Sequence, residues 1–162
     1  MEDLLTDRLI LHPLTPEEAR QVDLAERPEG ANWAADYPQP GERVGARMFA
    51  NACEAGVDPR PFGGYEIRLP DGTAVGGIGF HGGPDEHGAV EVGYGLSPSV
   101  RGNGYATEAV RRMIELAREQ GVKNFTGNAD LDNPASHKVM LGAGMKLVRE
   151  DDKLVYFELP LV

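Results

Sequence analysis

Cysteine is nearly absent from this chain. Its one thiol, Cys53, has no partner for a disulfide, and a cysteine-built metal cluster is excluded. Cys53 reads as a small buried hydrophobe in a protein of the reducing cytoplasm. Long apolar runs are missing too. No segment approaches the ~20 residues that cross a bilayer, and the opening Met1-Glu2-Asp3-Leu4-Leu5-Thr6-Asp7 has no basic leader. Basic residues are in deficit, with 16 Lys and Arg against 26 Asp and Glu and a net charge of −10. Neither nucleic acid nor an anionic membrane is therefore expected as a partner, since both demand a basic face. A cationic amine or a basic protein would be attracted to such a surface, which also serves plain solubility. Repeats, low-complexity tracts and linkers are absent as well. A chain of 162 residues with 41% hydrophobic content is expected to form one domain, 1–162, with a sizeable core.

What is present is organised around one stretch. Val90 to Leu96 alternates as a strand, and Pro98 stops it because proline cannot donate to a ladder. Arg101-Gly102-Asn103-Gly104-Tyr105-Ala106 is a glycine-rich turn. Ala106, Ala109, Val110, Met113, Ile114 and Ala117 then mark one face of a helix, closed at Gln120-Gly121. The first N–H groups of such a helix lack partners, and its dipole adds about half a positive charge there. Gly102 and Gly104 carry no side chain to keep an anion from the backbone. The same geometry also serves as a tight turn that binds nothing. Two rival motifs fail: a P-loop needs Gly-Lys-Ser/Thr, and Tyr105 follows Gly104. A dinucleotide fingerprint follows its strand directly, whereas five residues separate Leu96 from Gly102.

Arg101-x-x-Gly104-x-Ala106 resembles the Arg/Gln-x-x-Gly-x-Gly/Ala signature of the GNAT superfamily, the acetyl-CoA-dependent N-acetyltransferases. The longer string through Thr107-Glu108-Ala109 is similar to the RimJ/RimL branch, which acetylates ribosomal-protein N-termini. Three further matches extend the likeness over nearly the whole chain: Thr6-x-Arg8-Leu9-x-Leu11-x-Pro13-Leu14, Gly76-Gly77-Ile78-Gly79, and Asn133-x-x-Ser136 with Leu141-Gly142 after it. The resemblance implies an α/β (α+β) fold whose central mixed, largely antiparallel sheet is splayed between two parallel strands and flanked by helices. It implies acetyl-CoA as co-substrate, with no metal, and direct transfer to a primary amine in a ternary complex. The amine would belong to a small molecule or a protein N-terminus, and the enzyme would be a monomer or homodimer. Gly95, Leu96 and Ser97 would pair with the cofactor arm. Arg101, Gly102, Asn103, Gly104, Tyr105, Ala106 and Thr107 would hold the pyrophosphate, and Asn133 the pantetheine besides capping its helix.

For the chemistry, Glu91 is the first choice to take a proton from the amine, although a strand carboxylate also faces solvent or pairs with a base. Many family members carry a tyrosine seven residues after the matching Asn to protonate the departing thiolate. Met140 stands there and cannot donate, which leaves Ser136, as the RimL-like branch implies. The alternative for Ser136 is a hydrogen bond to its own helix turn alone. Trp33 and Tyr37, in the loop Pro28 to Gly41, either wall the acceptor pocket or plug the loop onto the core. The counter-readings are a catalytically silent acyl-CoA-binding module and a nucleotide binder that would retain NAD(P).

The rest of the chain completes the pattern. Leu4 to Leu14 reads as one strand ended by Pro13, and Thr15-Pro16-Glu17-Glu18 as a capping box with proline at N1. Glu42 to Ala55 reads as a helix with Val44, Met48 and Ala52 along an apolar stripe. Strands are expected from Phe62 to Leu69, Ala74 to Phe80 and Asn124 to Leu131, with a hairpin around Asp151-Asp152. His12 reads as structural. His81, Asp85, Glu86 and His87 match no ligand spacing, so their loop reads as solvated.

Overall fold

The structure is a computed structural model and describes residues 1–162. Its elements run β1 (Leu4–Leu5), β2 (Ile10–Pro13), α1 (Pro16–Leu24), α2 (Pro40–Glu54), β3 (Gly64–Arg68), β4 (Ala74–Phe80) and β5 (Ala89–Leu96). There follow α3 (Tyr105–Glu119), β6 (Asn124–Asp130), α4 (Pro134–Gly142), β7 (Lys146–Glu150) and β8 (Leu154–Pro160). The strands form one sheet in the order β1-β2-β3-β4-β5-β6-β8-β7, antiparallel except for the central β5–β6 pair. This is the mixed, largely antiparallel sheet of the GNAT fold. No helix is long and apolar enough to cross a membrane.

Alternation on β4 and β5 decides what each sheet face carries. Ile78, Phe80, Val92 and Leu96 enter the larger core, which α3 covers with Val110, Met113, Ile114 and Ala117. The alternate positions, Gly77, Gly79, Gly93 and Gly95, face the α1–α2 side and leave a groove under α2. A smaller core of Leu14, Ala19, Val22, Phe49 and Ala50 fixes the two helices beside that groove.

Three expectations need correction. Leu4 to Leu14 is not one strand but a hairpin, in which Leu4 opposes Leu11 and Leu5 opposes Ile10. Thr6 turns the chain: its N–H donates to the Leu9 carbonyl, and its hydroxyl accepts from the Leu9 N–H at 3.0 Å. Second, α2 starts at Pro40, two residues early, and buries Ala46, Phe49 and Ala50. Val44 and Met48 stay 49% exposed each, because the larger ring of Phe49 claims the inward face and turns them to the groove. Third, Cys53 is only half-buried.

The capping box at α1 is present. Glu18 N–H donates to Thr15 Oγ1 at 3.1 Å, and Thr15 N–H to Glu18 Oε1 at 3.0 Å. The Glu18 carboxylate also meets His12 Nε2, whose other ring nitrogen faces Asp3, so His12 ties strand to helix. Thr15→Ala removes the cap and should cost about 1 kcal/mol. A thermal melt should then show a fall of roughly 2–4 °C; an unchanged midpoint would show that Glu18 and His12 hold the turn without the hydroxyl.

Candidate active site

β5 pairs with β6 only at its start. Ala89, Val90 and Glu91 pair in parallel with Asn124, Phe125 and Thr126 of β6. From Val92 to Leu96 the pairing continues with β4 alone, from Phe80 back to Gly76. Beyond Glu91 the parallel strands therefore separate. Gly93 and Gly95 bond to β4, so the open β6-facing backbone is that of Val92, Tyr94 and Leu96. Unpaired N–H and C=O groups in a sheet's centre need partners, and an extended amide-bearing ligand arm would supply them.

The chain after β5 turns through a short 3-10 segment, Pro98–Val100, into the glycine turn. Gly102 and Gly104 adopt φ of 83° and 79°, a left-handed region that favours glycine. Gly104 is the N-cap of α3 and provides no side-chain cap, so the first N–H groups of the helix remain unpaired by side chains. Arg101, Gly102, Asn103 and Gly104 are exposed, Tyr105 and Thr107 half-buried, and Ala106 buried. Nothing lies within 4 Å of a Cβ built on Gly102. The turn thus presents bare backbone and a helix N-terminus, which suits a pyrophosphate.

The N-terminal hairpin holds this turn from outside. Arg8 donates from Nε to Glu108 Oε1 at 2.8 Å and from a terminal nitrogen to the Asn103 carbonyl at 2.9 Å. Its guanidinium lies 4.7 Å from the centre of the Tyr105 ring. Arg101 folds inward, its Nε donating to the Leu96 carbonyl at 3.1 Å. Ser97 is fully buried, and its hydroxyl donates to the Asp36 carbonyl at 3.2 Å. That hydroxyl is occupied and anchors the end of β5 to the α1–α2 loop.

Glu91, Asn133 and Ser136 line one cavity at the mouth of the split, together with His81, Tyr94 and Asn128. Asn133 caps α4 through its side-chain oxygen, which accepts from Ser136 N–H at 3.3 Å, leaving its amide nitrogen for another partner. Glu91 Oε1 accepts from Asn128 Nδ2 at 3.2 Å and lies 2.9 Å from His81 Nδ1. Sequence reasoning set His81 aside as part of a solvated loop. Its Nε2 lies only 2.8 Å from where a Cβ on Gly93 would be, so glycine there admits the ring to the split.

Tyr94 was missed altogether. Its hydroxyl lies 2.5 Å from Ser136 Oγ, and burial holds the phenol above its ordinary value, so it keeps its proton near neutrality. Met140, where a tyrosine is common in the family, is fully buried, with its sulfur over Gly127. A phenol therefore does reach Ser136, from β5 rather than from α4.

Trp33 and Tyr37 touch edge to face, with ring centres 5.3 Å apart, yet they serve different cavities. Tyr37 is buried and lines the groove under α2. Trp33 lines a separate, polar cavity beside Asn32, Glu66 and Arg68. The groove under α2 and the cavity at the split meet at His81, Gly93 and Tyr94. The sheet is thereby opened from both faces at one point, where a held electrophile and an incoming nucleophile can meet.

Residues 8–146 match the acetyltransferase (GNAT) domain family. Over 83 residues, 50% of this chain and 49% of that protein, the sequence is 40% identical to the uncharacterized N-acetyltransferase YjdG of Bacillus subtilis (strain 168). The chain thus matches about half the length of that relative. Among solved structures, the ribosomal L7/L12 alpha-N-protein acetyltransferase RimL, in complex with coenzyme A, is similar with a TM-score of 0.70 at 15% identity, covering 99% of this chain and 98% of that one. The microcin C7 self-immunity acetyltransferase MccE, in complex with acetyl-CoA and AMP, gives 0.66 at 16% identity, covering 96% and 93%. At these identities the likeness is one of fold. The family match spans most of the sequence, well beyond one glycine motif, and this chain belongs to the GNAT acetyltransferase family.

Proposed function

We propose that this protein transfers an acetyl group from acetyl-CoA to a primary amine, directly, with both substrates bound. The observation that carries the reading is the loss of β5–β6 pairing after Glu91, with a cavity on each face of the sheet meeting at the gap. The turn at Gly102 and Gly104 with the N-terminus of α3 takes the pyrophosphate. The open edge of β5 at Tyr94 and Leu96 pairs with the amide-bearing arm, flanked by Gly95 and Ser97, and the free amide nitrogen of Asn133 adds a contact. Bound there, acetyl-CoA supplies a reactive thioester. The chain aligns it and excludes water, and positioning supplies most of the rate.

The Ser136–Tyr94 hydroxyl pair stands where a proton can be delivered to the departing sulfur. Glu91, bonded to Asn128 and His81, is available to accept one from the amine, directly or through water. RimL's action on a ribosomal protein makes a protein N-terminus one candidate acceptor, and a small-molecule amine is the other. Cys53 as a free thiol is compatible with a cytoplasmic place of action. One observation favours a second reading, a silent acyl-CoA-binding module: Met140 occupies the place of the family's tyrosine. Incubation of the protein with acetyl-CoA and a panel of primary amines separates the two. Free thiol release matched by acetylated amine in the mass spectrum is expected; tight acetyl-CoA binding with neither product would establish the silent module.

A further inference from the structure

The groove under α2 holds a carboxylate with one oxygen that the rest of the chain leaves unpaired. Glu42 stands at N3 of α2, and its Oε1 is buried without a hydrogen-bond partner. Buried polar atoms are nearly always paired, so an orphan asks what comes to pair it. Glu91, the other carboxylate near the split, differs in that Asn128 and His81 already occupy its Oε1; in the assignment below Glu42 takes the amine's proton in its place.

Two glycines bring Glu42 to this place. Gly77 and Gly95 are directly opposite each other on β4 and β5. A Cβ on Gly77 would lie 3.1 Å from Glu42 Cγ, and one on Gly95 would lie 3.2 Å from Glu42 Oε2. The carboxylate therefore rests on the very strand whose other edge is open to the split. Around it the groove is apolar, with Tyr37, Val44 and Met48 in its walls, and its volume is about 270 Å³. The Tyr37 hydroxyl is unavailable to Glu42, since it donates to Glu66 Oε2 at 2.9 Å. Such a volume falls just below the range of drug-sized ligand sites, roughly 300–1,000 Å³, and suits one small head group on a short stem.

We infer that Glu42 receives the acceptor: it pairs with a primary ammonium carried on a short apolar stem and takes its proton before transfer. This rests on the acetyl-transfer reading above. The Glu42 carboxylate and R–NH₃⁺ become the carboxylic acid and R–NH₂. The nitrogen lone pair then forms the C–N bond to the acetyl carbon of the thioester. The C–S bond breaks with its electrons going to sulfur, and the extra proton on nitrogen passes to the thiolate. Glu42 afterwards returns its proton to water.

Burial raises Glu42 above the usual carboxylate range, which favours this exchange. Backbone N–H groups at the start of the helix and Arg101 oppose the rise, and Asp36 adds to it. His81 closes the far end of the groove, and the Tyr37–Glu66 pair lies beneath.

Glu42→Gln tests the assignment, because Gln is also well suited to N3 and keeps the helix start. The probes are phenethylamine, phenethyl alcohol, and a tripeptide with a free N-terminal phenylalanine, each added to protein saturated with CoA. Phenethylamine should raise the melting temperature of the parent protein but not of Glu42→Gln, and the alcohol should raise neither. With acetyl-CoA, the variant should keep its cofactor affinity while KM for the amine rises about tenfold and the rising limb of the kcat/KM–pH profile moves. Glu42→Asp should recover part of the loss. Reaction of phenethylamine alone identifies a small-molecule acceptor, and preference for the tripeptide a protein N-terminus; Glu42 dependence in either supports the inference. Equal amine-induced shifts in parent and variant, or no shift in either, would overturn it. A Glu42-dependent shift without any transfer would sustain the ammonium site and overturn the transferase reading alone.

Discussion

Gly104→Glu is expected to abolish acetyl-CoA binding while leaving a folded protein. Three effects act together at this position. Its φ of 79° is unfavourable for any side chain, at roughly 1–2 kcal/mol. A Cβ would lie 3.4 Å from the Arg8 guanidinium, in contact with it, so the longer Glu side chain crowds Arg8, which braces the turn through Glu108 and Asn103. A carboxylate would then occupy the positive end of α3, where the proposed site would take the pyrophosphate. In the parent, acetyl-CoA at a hundredfold excess over Kd should stabilise the fold by about 2.7 kcal/mol. The variant should melt slightly lower without ligand and show no shift with it. Gly104→Ala separates the contributions, since it keeps the strain and omits the charge; it should bind, but more weakly. A Glu variant that binds like the parent would move the pyrophosphate elsewhere.

Loss of either hydroxyl in the Ser136–Tyr94 pair should slow turnover with little change in acetyl-CoA affinity. Their oxygens lie 2.5 Å apart, close enough for a proton donated by one to be replaced from the other. General-acid help is typically worth ~10²–10⁴-fold. CoA thiol leaves easily, so both Ser136→Ala and Tyr94→Phe should fall near a hundredfold in kcat, at the low end of that range. Because the two act as one unit, the double variant should lose no more than the worse single one. Additive losses would mean separate roles, and an unchanged kcat in both would leave water as the proton source. Tyr94→Phe is the more telling variant, since Ser136 also opens α4 beside the Asn133 cap.

Much of this was legible before any coordinates. Gly102 and Gly104, Pro98 and the spacing of Ala106 to Ala117 define strand, turn and helix by local chemistry alone, and the structure places β5 and α3 accordingly. The Thr15 box and the Asn133–Pro134 start of α4 are equally local. What escaped depends on contacts across the sheet. Tyr94 meets Ser136 across 42 residues, and Glu42 reaches the sheet only because Gly77 and Gly95 fall opposite one another. One signal was present in the sequence: the alternation Gly77, Gly79 and Gly93, Gly95 describes a sheet face with no side chains, which is a floor for something else. The stripe of Val44, Met48 and Ala52 suggested by the sequence is not the buried face of α2, because Phe49 on the same helix takes the inward position.

The brace on the glycine turn also has a bearing on how this protein comes into being. Arg8 and Glu108 stand 100 residues apart in the chain. On a ribosome the hairpin that carries Arg8 emerges early and stays without its counterpart until α3 has been made. Closing so long a loop is slow, because the entropy is lost before the contact forms. A fragment lacking the first eight residues would retain the whole Arg101–Ala106 signature and lose the clasp that shapes it.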